Sequence, residues 1–128
     1  MTDFISKFPR RTGISRILYA TVYSLKGFRG AWTNESAFRQ EAVLAAVLLP
    51  SAFWLGQTAI EQILLIACVA LVLIVELLNS AIETTIDRVG TELHPLSGRA
   101  KDMGSAAVLV SLLLTLFVWV TILVQHFA

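Results

Sequence analysis

Between Arg39 and Arg88 the chain has no lysine and no arginine. Glu41, Glu76 and Glu83 nevertheless lie within or against long apolar runs in that stretch, so no local base neutralises them. An ionised acid at mid-bilayer costs at least ~2.5 kcal/mol, which makes such groups rarely accidental. A cation or a proton is their natural partner. Cysteine is nearly absent too: the one thiol, Cys68, excludes an intrachain disulfide and reads as packing within an apolar run. The chain lacks G-x-x-x-x-G-K-[ST], G-x-G-x-x-G, H-R-D and D-F-G, so any phosphate chemistry is not that of a P-loop or protein-kinase fold. Neither G-x-S-x-G nor H-E-x-x-H is present to suggest hydrolysis. No cysteine or second histidine gives His94 metal-site spacing.

What the chain does have is apolar length. Its 128 residues form one domain at most, with 56% hydrophobic residues and a mean hydropathy of +0.74. A membrane span needs ~20 mostly apolar residues. Residues 103–128 contain no Asp, Glu, Lys or Arg; residues 37–55 are nearly as apolar, with Pro50 as a kink; residues 62–86 carry Glu76 and Glu83 in their second half. The expected fold is all-α: an N-terminal tail and amphipathic surface helix over 1–34, then a transmembrane domain over 35–128 with spans near 35–55, 62–92 and 98–127. Residues 1–12 lack an apolar core and are not read as a signal peptide. The ten basic residues fall before the first span, including Lys7, Arg10 and Arg11, and around the second connection; the first connection, 56–61, has none. The positive-inside rule then places the N-terminus and second loop in the cytoplasm and the first loop and C-terminus outside.

Helical spacing sorts the polar residues. Ile14, Ile17, Leu18, Leu25, Phe28 and Trp32 fall within an arc of about 120°, with Arg16, Tyr19, Tyr23 and Lys26 opposite, as in a membrane-surface helix. Simple anchoring explains that polar face, and so does contact of Arg16 and Tyr23 with an anionic or aromatic ligand such as a nucleotide. Gly27 and Gly30 allow a bend before the first span. Glu76, Asn79, Glu83 and Asp87 lie within roughly 80° of one another and form a polar stripe ~16 Å long, with Ser80 adjacent. Glu76 and Glu83 are about 10 Å apart, too far to chelate one ion, so they suit two steps. Glu83, nearer the surface, suits a divalent metal carrying phosphates; the deeper Glu76 suits proton abstraction, and Asn79 can orient either. The plain alternative is a polar seam between helices. After Pro95 a helix is expected to restart near Ser97 or Gly98, with Lys101 and Asp102 in its first turns as a phosphate site. Glu35 either pairs with Arg39 one turn on, or meets Glu83 at one depth to make an oxygen-only Mg²⁺–phosphate site.

The segments Ala37-Phe38-Arg39-Gln40-Glu41, Val75-Glu76-Leu77-Leu78-Asn79-Ser80-Ala81-Ile82-Glu83, Asp87-Arg88 and Leu96-Ser97-Gly98-Arg99-Ala100-Lys101-Asp102-Met103-Gly104-Ser105-Ala106-Ala107-Val108 resemble the prokaryotic diacylglycerol kinase family. The resemblance runs from about Arg16 to the C-terminus. It implies an inner-membrane homotrimer, with sites shared between subunits, that phosphorylates diacylglycerol with MgATP to give phosphatidic acid. It makes Glu76 the catalytic base and Asn79 an active-site partner. Glu35 and Glu83 become the metal-binding acids. Arg16, Tyr23, Glu92, His94, Lys101 and Asp102 align with nucleotide contacts. The lipid site would take in Arg16, Ala20, Ser24, Arg29 and Trp32, then Ala37, Arg39 and Glu41, and Trp54, Glu76, Ser105 and Trp119. Residues 56–62 depart from the family pattern, which bears on outer lipid contacts. The surface helix would roof the site and limit water. An undecaprenol kinase of the same family and a small proton-coupled transporter are the alternatives; a transporter has no need of Glu35, Lys101 and Asp102 at the rim. A scaffold without chemistry is disfavoured by the stacked acids.

Overall fold

The structure is a computed structural model that describes residues 12–127. The expected tail with Lys7, Arg10 and Arg11 lies outside the described residues, as does Ala128. Four helices follow one another: α1 (Gly13–Asn34), α2 (Ser36–Leu55), α3 (Ala59–Val89) and α4 (Pro95–Phe127). The described residues contain no strand. The last three helices are long and apolar enough to cross a membrane, so this is a membrane protein.

The chain divides into two units, up to Gly30 and from Ala31. The first holds most of α1. Gly13 opens that helix at φ +64°, a left-handed conformation glycine adopts without strain, and the Ser15 hydroxyl donates to Thr12 O at 2.9 Å. The helix places Ile14, Ile17, Leu18 and Leu25 along one side, and all four are exposed. Lys26 Nζ lies 5.9 Å from the centre of the Tyr23 ring, one turn away on the polar face.

The second unit is built around α3, which packs against both α2 and α4. Leu65, Cys68, Val69, Val72, Glu76 and Ser80 are the buried residues of α3, and their spacing of three and four marks one face. Ala45 and Ala52 of α2 and Trp119 and Ile122 of α4 close the core against it. Alanines there let the backbones approach closely, as small residues do between helices in lipid. Outward residues such as Val110, Leu116 and Phe117 stay exposed, which suits a hydrocarbon solvent. Cys68 is buried, as its apolar setting implied.

The helix ends explain two departures from the expected boundaries. α3 begins at Ala59 because Thr58 caps it, its hydroxyl accepting from Glu61 N–H at 3.2 Å. α4 begins at Pro95 rather than near Ser97 or Gly98. Proline is well placed in a first turn, and His94 caps it: Nδ1 accepts from Leu96 N–H at 3.1 Å and the carbonyl accepts from Gly98 N–H at 3.0 Å. Lys101 and Asp102 are consequently in the second and third turns of α4 rather than at its start. Pro50 lies within α2, which continues to Leu55.

Candidate active site

The acids gather toward one end of the second unit. Glu35 occupies the N-cap position of α2 with no side-chain capping bond, so its carboxylate is not spent on the helix. Nor does it hold Arg39, whose Nη1 donates to the carbonyls of Trp32 at 2.8 Å and Thr33 at 3.2 Å, satisfying the end of α1. The local Glu35–Arg39 pair is therefore replaced by a backbone cap. Glu76 is 5% exposed and Ser80 is buried beside it on α3. Glu35, Glu41 and Glu83 all lie close enough to Glu76 to act electrostatically on it.

Asn79 links the stripe. Its Nδ2 donates to Glu83 Oε1 at 3.4 Å, while its Oδ1 is buried with no partner. That oxygen faces α4 at Gly104, where an added Cβ would collide with it, so glycine is required for this approach. A groove of about 420 Å³ opens beside them, lined by Val75, Leu78, Asn79, Ile82, Ala100, Met103, Gly104 and Ala107. Its walls are apolar apart from Asn79, a suitable setting for an acyl chain next to a polar reaction centre.

Lys101 Nζ reaches Asp87 Oδ1 at 3.0 Å, joining α4 to the last turn of α3. Both side chains are substantially exposed, so the pair contributes little stability. Glu92 and Asp102 are exposed nearby in sequence. As for metal binding, no group of three or more His, Cys, Asp or Glu side chains capable of holding an ion occurs among the described residues. Glu35, which makes no capping bond, and Glu83, held by the Asn79 amide, are oxygen donors. This fits Mg²⁺, which commonly takes one or two carboxylates and completes its shell with water and substrate phosphates.

Other expected residues do not gather here. Trp54 is at the far end of α2, fully open. Trp119 is buried in the core with its Nε1 unpartnered. Ser105 is exposed on α4. Arg16, Ala20, Tyr23, Ser24 and Arg29 belong to the first unit, where Ser24 Oγ donates to Ala20 O at 2.8 Å. Two polar residues were not anticipated by sequence reasoning, Glu61 and His126. Their atoms Oε2 and Nε2 are 2.8 Å apart across 65 positions at the opposite end of the molecule. Only their placement at the ends of apolar runs hints at a pair.

The prokaryotic diacylglycerol kinase family model matches residues 22–123. A diacylglycerol kinase of Escherichia coli K12 is 54% identical over 116 residues, 91% of this chain and 95% of that protein. One of Pseudomonas aeruginosa is 56% identical over 118 residues, covering 92% and 96%. One of Helicobacter pylori J99 is 42% identical over 119 residues, covering 93% and 92%.

Proposed function

The chain belongs to the prokaryotic diacylglycerol kinase family, and on that premise we propose that it transfers the γ-phosphoryl group of ATP to the hydroxyl of 1,2-diacylglycerol, giving phosphatidic acid and ADP. The observation that carries the site is Glu76: a carboxylate almost wholly buried in a membrane helix, without a basic partner, one stripe away from the acids at the rim. Such a group is suited to accept the hydroxyl proton as the oxygen attacks phosphorus. α3 extends ~46 Å, beyond the ~30 Å hydrocarbon thickness, so its last turns clear the apolar layer. Glu83 and Asp87 then meet water while Glu76 stays within reach of a lipid hydroxyl whose chains remain in the bilayer.

Phosphoryl transfer needs positioning and charge neutralisation more than covalent help. In this reading Glu35 and Glu83 hold Mg²⁺, which when bound neutralises the β- and γ-phosphates. Asn79 orients Glu83 through its amide. Lys101 leaves Asp87 to pair with phosphate. Arg16, Tyr23, Glu92, His94 and Asp102 contribute the remaining nucleotide contacts, and the lipid is met by Ala20, Ser24, Arg29, Trp32, Ala37, Glu41 and Ser105, with Trp54 toward the far side. The basic residues of α1 and the α3–α4 connection favour a cytoplasmic N-terminus in the inner membrane.

The polar stripe of α3 should avoid lipid, and one chain of three spans offers little shielded interior, so we read the enzyme as a homotrimer with sites completed between subunits, as the family resemblance implies. Mixing inactive Glu76→Gln and Lys101→Met subunits tests this: activity returns if one site draws the two residues from different chains. The decisive assay for the activity is detergent-solubilised protein with radiolabelled ATP and either dioleoylglycerol or undecaprenol. Labelled phosphatidic acid is expected, with little undecaprenyl phosphate; the reverse preference would overturn the substrate.

A further inference from the structure

Gly104 has no part in the chemistry above, yet the Asn79 amide rests against it. Ala100, Gly104 and Ala107 of α4 line the groove beside Asn79 at spacings of four and three, so they share a face. The amide has two different ends. Nδ2 donates to Glu83 Oε1 at 3.4 Å, whereas Oδ1 is buried with no partner. That bond is long and the terminal torsion of an asparagine is soft, so α3 alone does not fix the orientation. A half-turn of the amide would set Oδ1 against Glu83, two acceptors facing each other. A Cβ on Gly104 would strike Oδ1 and come within 3.2 Å of Asn79 Cγ and 3.8 Å of its Cβ. In its place a Cα hydrogen of Gly104 points at Oδ1, a weak donor for an oxygen that has no other. Gly98, earlier on α4, has nothing within 4 Å of the same position, so the close approach belongs to Gly104.

We propose that Gly104 is a positioning residue: by carrying no side chain it seats Asn79 Oδ1 against α4, which keeps Nδ2 turned to Glu83 and holds that carboxylate. This rests on the reading of Glu83 as a metal-binding acid. With alanine at 104 the atom struck is the far end of a side chain and not backbone, so the helices stay docked and the amide yields. Nδ2 then leaves Glu83, and the carboxylate is free to turn. Carboxylates that ligate a metal are oriented by such hydrogen bonds, and losing the partner typically costs about 10–100-fold in metal affinity or activity.

The test is Gly104→Ala in the full chain in micelles, with Asn79→Ala, the double variant and Glu83→Gln alongside. In ligand-free protein the side-chain amide resonance of Asn79, identified by its loss in Asn79→Ala, is expected to shift in Gly104→Ala while the other side-chain amides stay in place. The Mg²⁺ concentration for half-maximal rate should rise about tenfold, with KM for diacylglycerol within about twofold. Gly104→Ala should lower Tm in the wild-type background and leave it unchanged in Asn79→Ala, where no amide is displaced. An unshifted Asn79 resonance in folded Gly104→Ala overturns the proposal. Equal falls in Tm in both backgrounds mark plain helix packing and overturn it too. An unchanged Mg²⁺ titration in Gly104→Ala overturns it when Glu83→Gln raises the Mg²⁺ requirement; when Glu83→Gln changes nothing either, the metal reading of Glu83 is what fails, and the proposal falls with it. If Gly104→Ala does not fold, the wild-type protein answers: Overhauser contacts between the Asn79 Cβ protons and the Gly104 Cα protons are expected, and their absence refutes the close approach.

Discussion

The two ends of the helix bundle treat an acid in opposite ways. At one end Glu61 is fully answered: its Oε2 accepts from Gln57 N–H at 2.9 Å and lies 2.8 Å from His126 Nε2, while Thr58 caps the same turn. Gln62 tightens the connection by donating to Phe53 O and Gly56 O, each at 3.1 Å, and Gly56 has no room for a side chain beside Gln62. At the other end Glu35 caps nothing, Asn79 Oδ1 and Glu41 Oε2 are buried without partners, and Lys101 holds Asp87 only at the surface. Leaving a buried acceptor unsatisfied costs roughly 1–3 kcal/mol, and on the proposed reading the end that carries two of them is the one that binds substrate.

That contrast can be broken by substitution, and the largest effect should come from Glu76→Gln. The amide is nearly isosteric, so the folded protein should persist while turnover falls by about 10²–10⁴-fold, as for loss of a general base. Radiolabelled transfer together with helical content by circular dichroism checks both halves. Next come Glu35→Gln and Glu83→Gln, each expected to raise the Mg²⁺ concentration for half-maximal rate by about tenfold or more. Unchanged Mg²⁺ titrations in both variants would remove the metal assignment. Lys101→Met should act mainly on ATP, raising its KM while stability moves by less than about 1 kcal/mol, because its exposed bridge to Asp87 is weak. A thermal-unfolding shift larger than its kinetic effect would recast Lys101 as structural. The smallest kinetic effect belongs to His126→Ala at the satisfied end: turnover near wild type, with a lowered Tm as Glu61 loses its partner across the two spans.

The legibility of the two ends differed for a physical reason. Local spacing is visible in sequence, so the stripe of Glu76, Asn79, Glu83 and Asp87 and the three apolar spans could be read directly. The apolar arc of α1 followed from the same periodicity. Contacts across helices carry no local period. Lys101 with Asp87, and Asn79 against Gly104, depend on how α3 and α4 dock, and Glu61 with His126 joins two spans through 65 intervening residues. The start of α4 was misplaced because Gly98 and Ser97 were weighed over Pro95, whereas a capping His94 makes the proline a first-turn residue. The i,i+4 spacing allows a Glu35–Arg39 pair, yet unsatisfied carbonyls at the end of α1 compete better for the guanidinium. The family motifs added roles that spacing alone left open.

The account turns on which end performs phosphoryl transfer, and one paired assay tests that most directly. Glu76→Gln and Glu61→Gln proteins, each verified as folded, are given radiolabelled ATP, Mg²⁺ and dioleoylglycerol under identical conditions. The prediction is a loss of at least about a hundredfold in phosphatidic acid formation for Glu76→Gln and less than about a threefold change for Glu61→Gln. Transfer by Glu76→Gln above a tenth of wild type, or an equal collapse in folded Glu61→Gln, would contradict it.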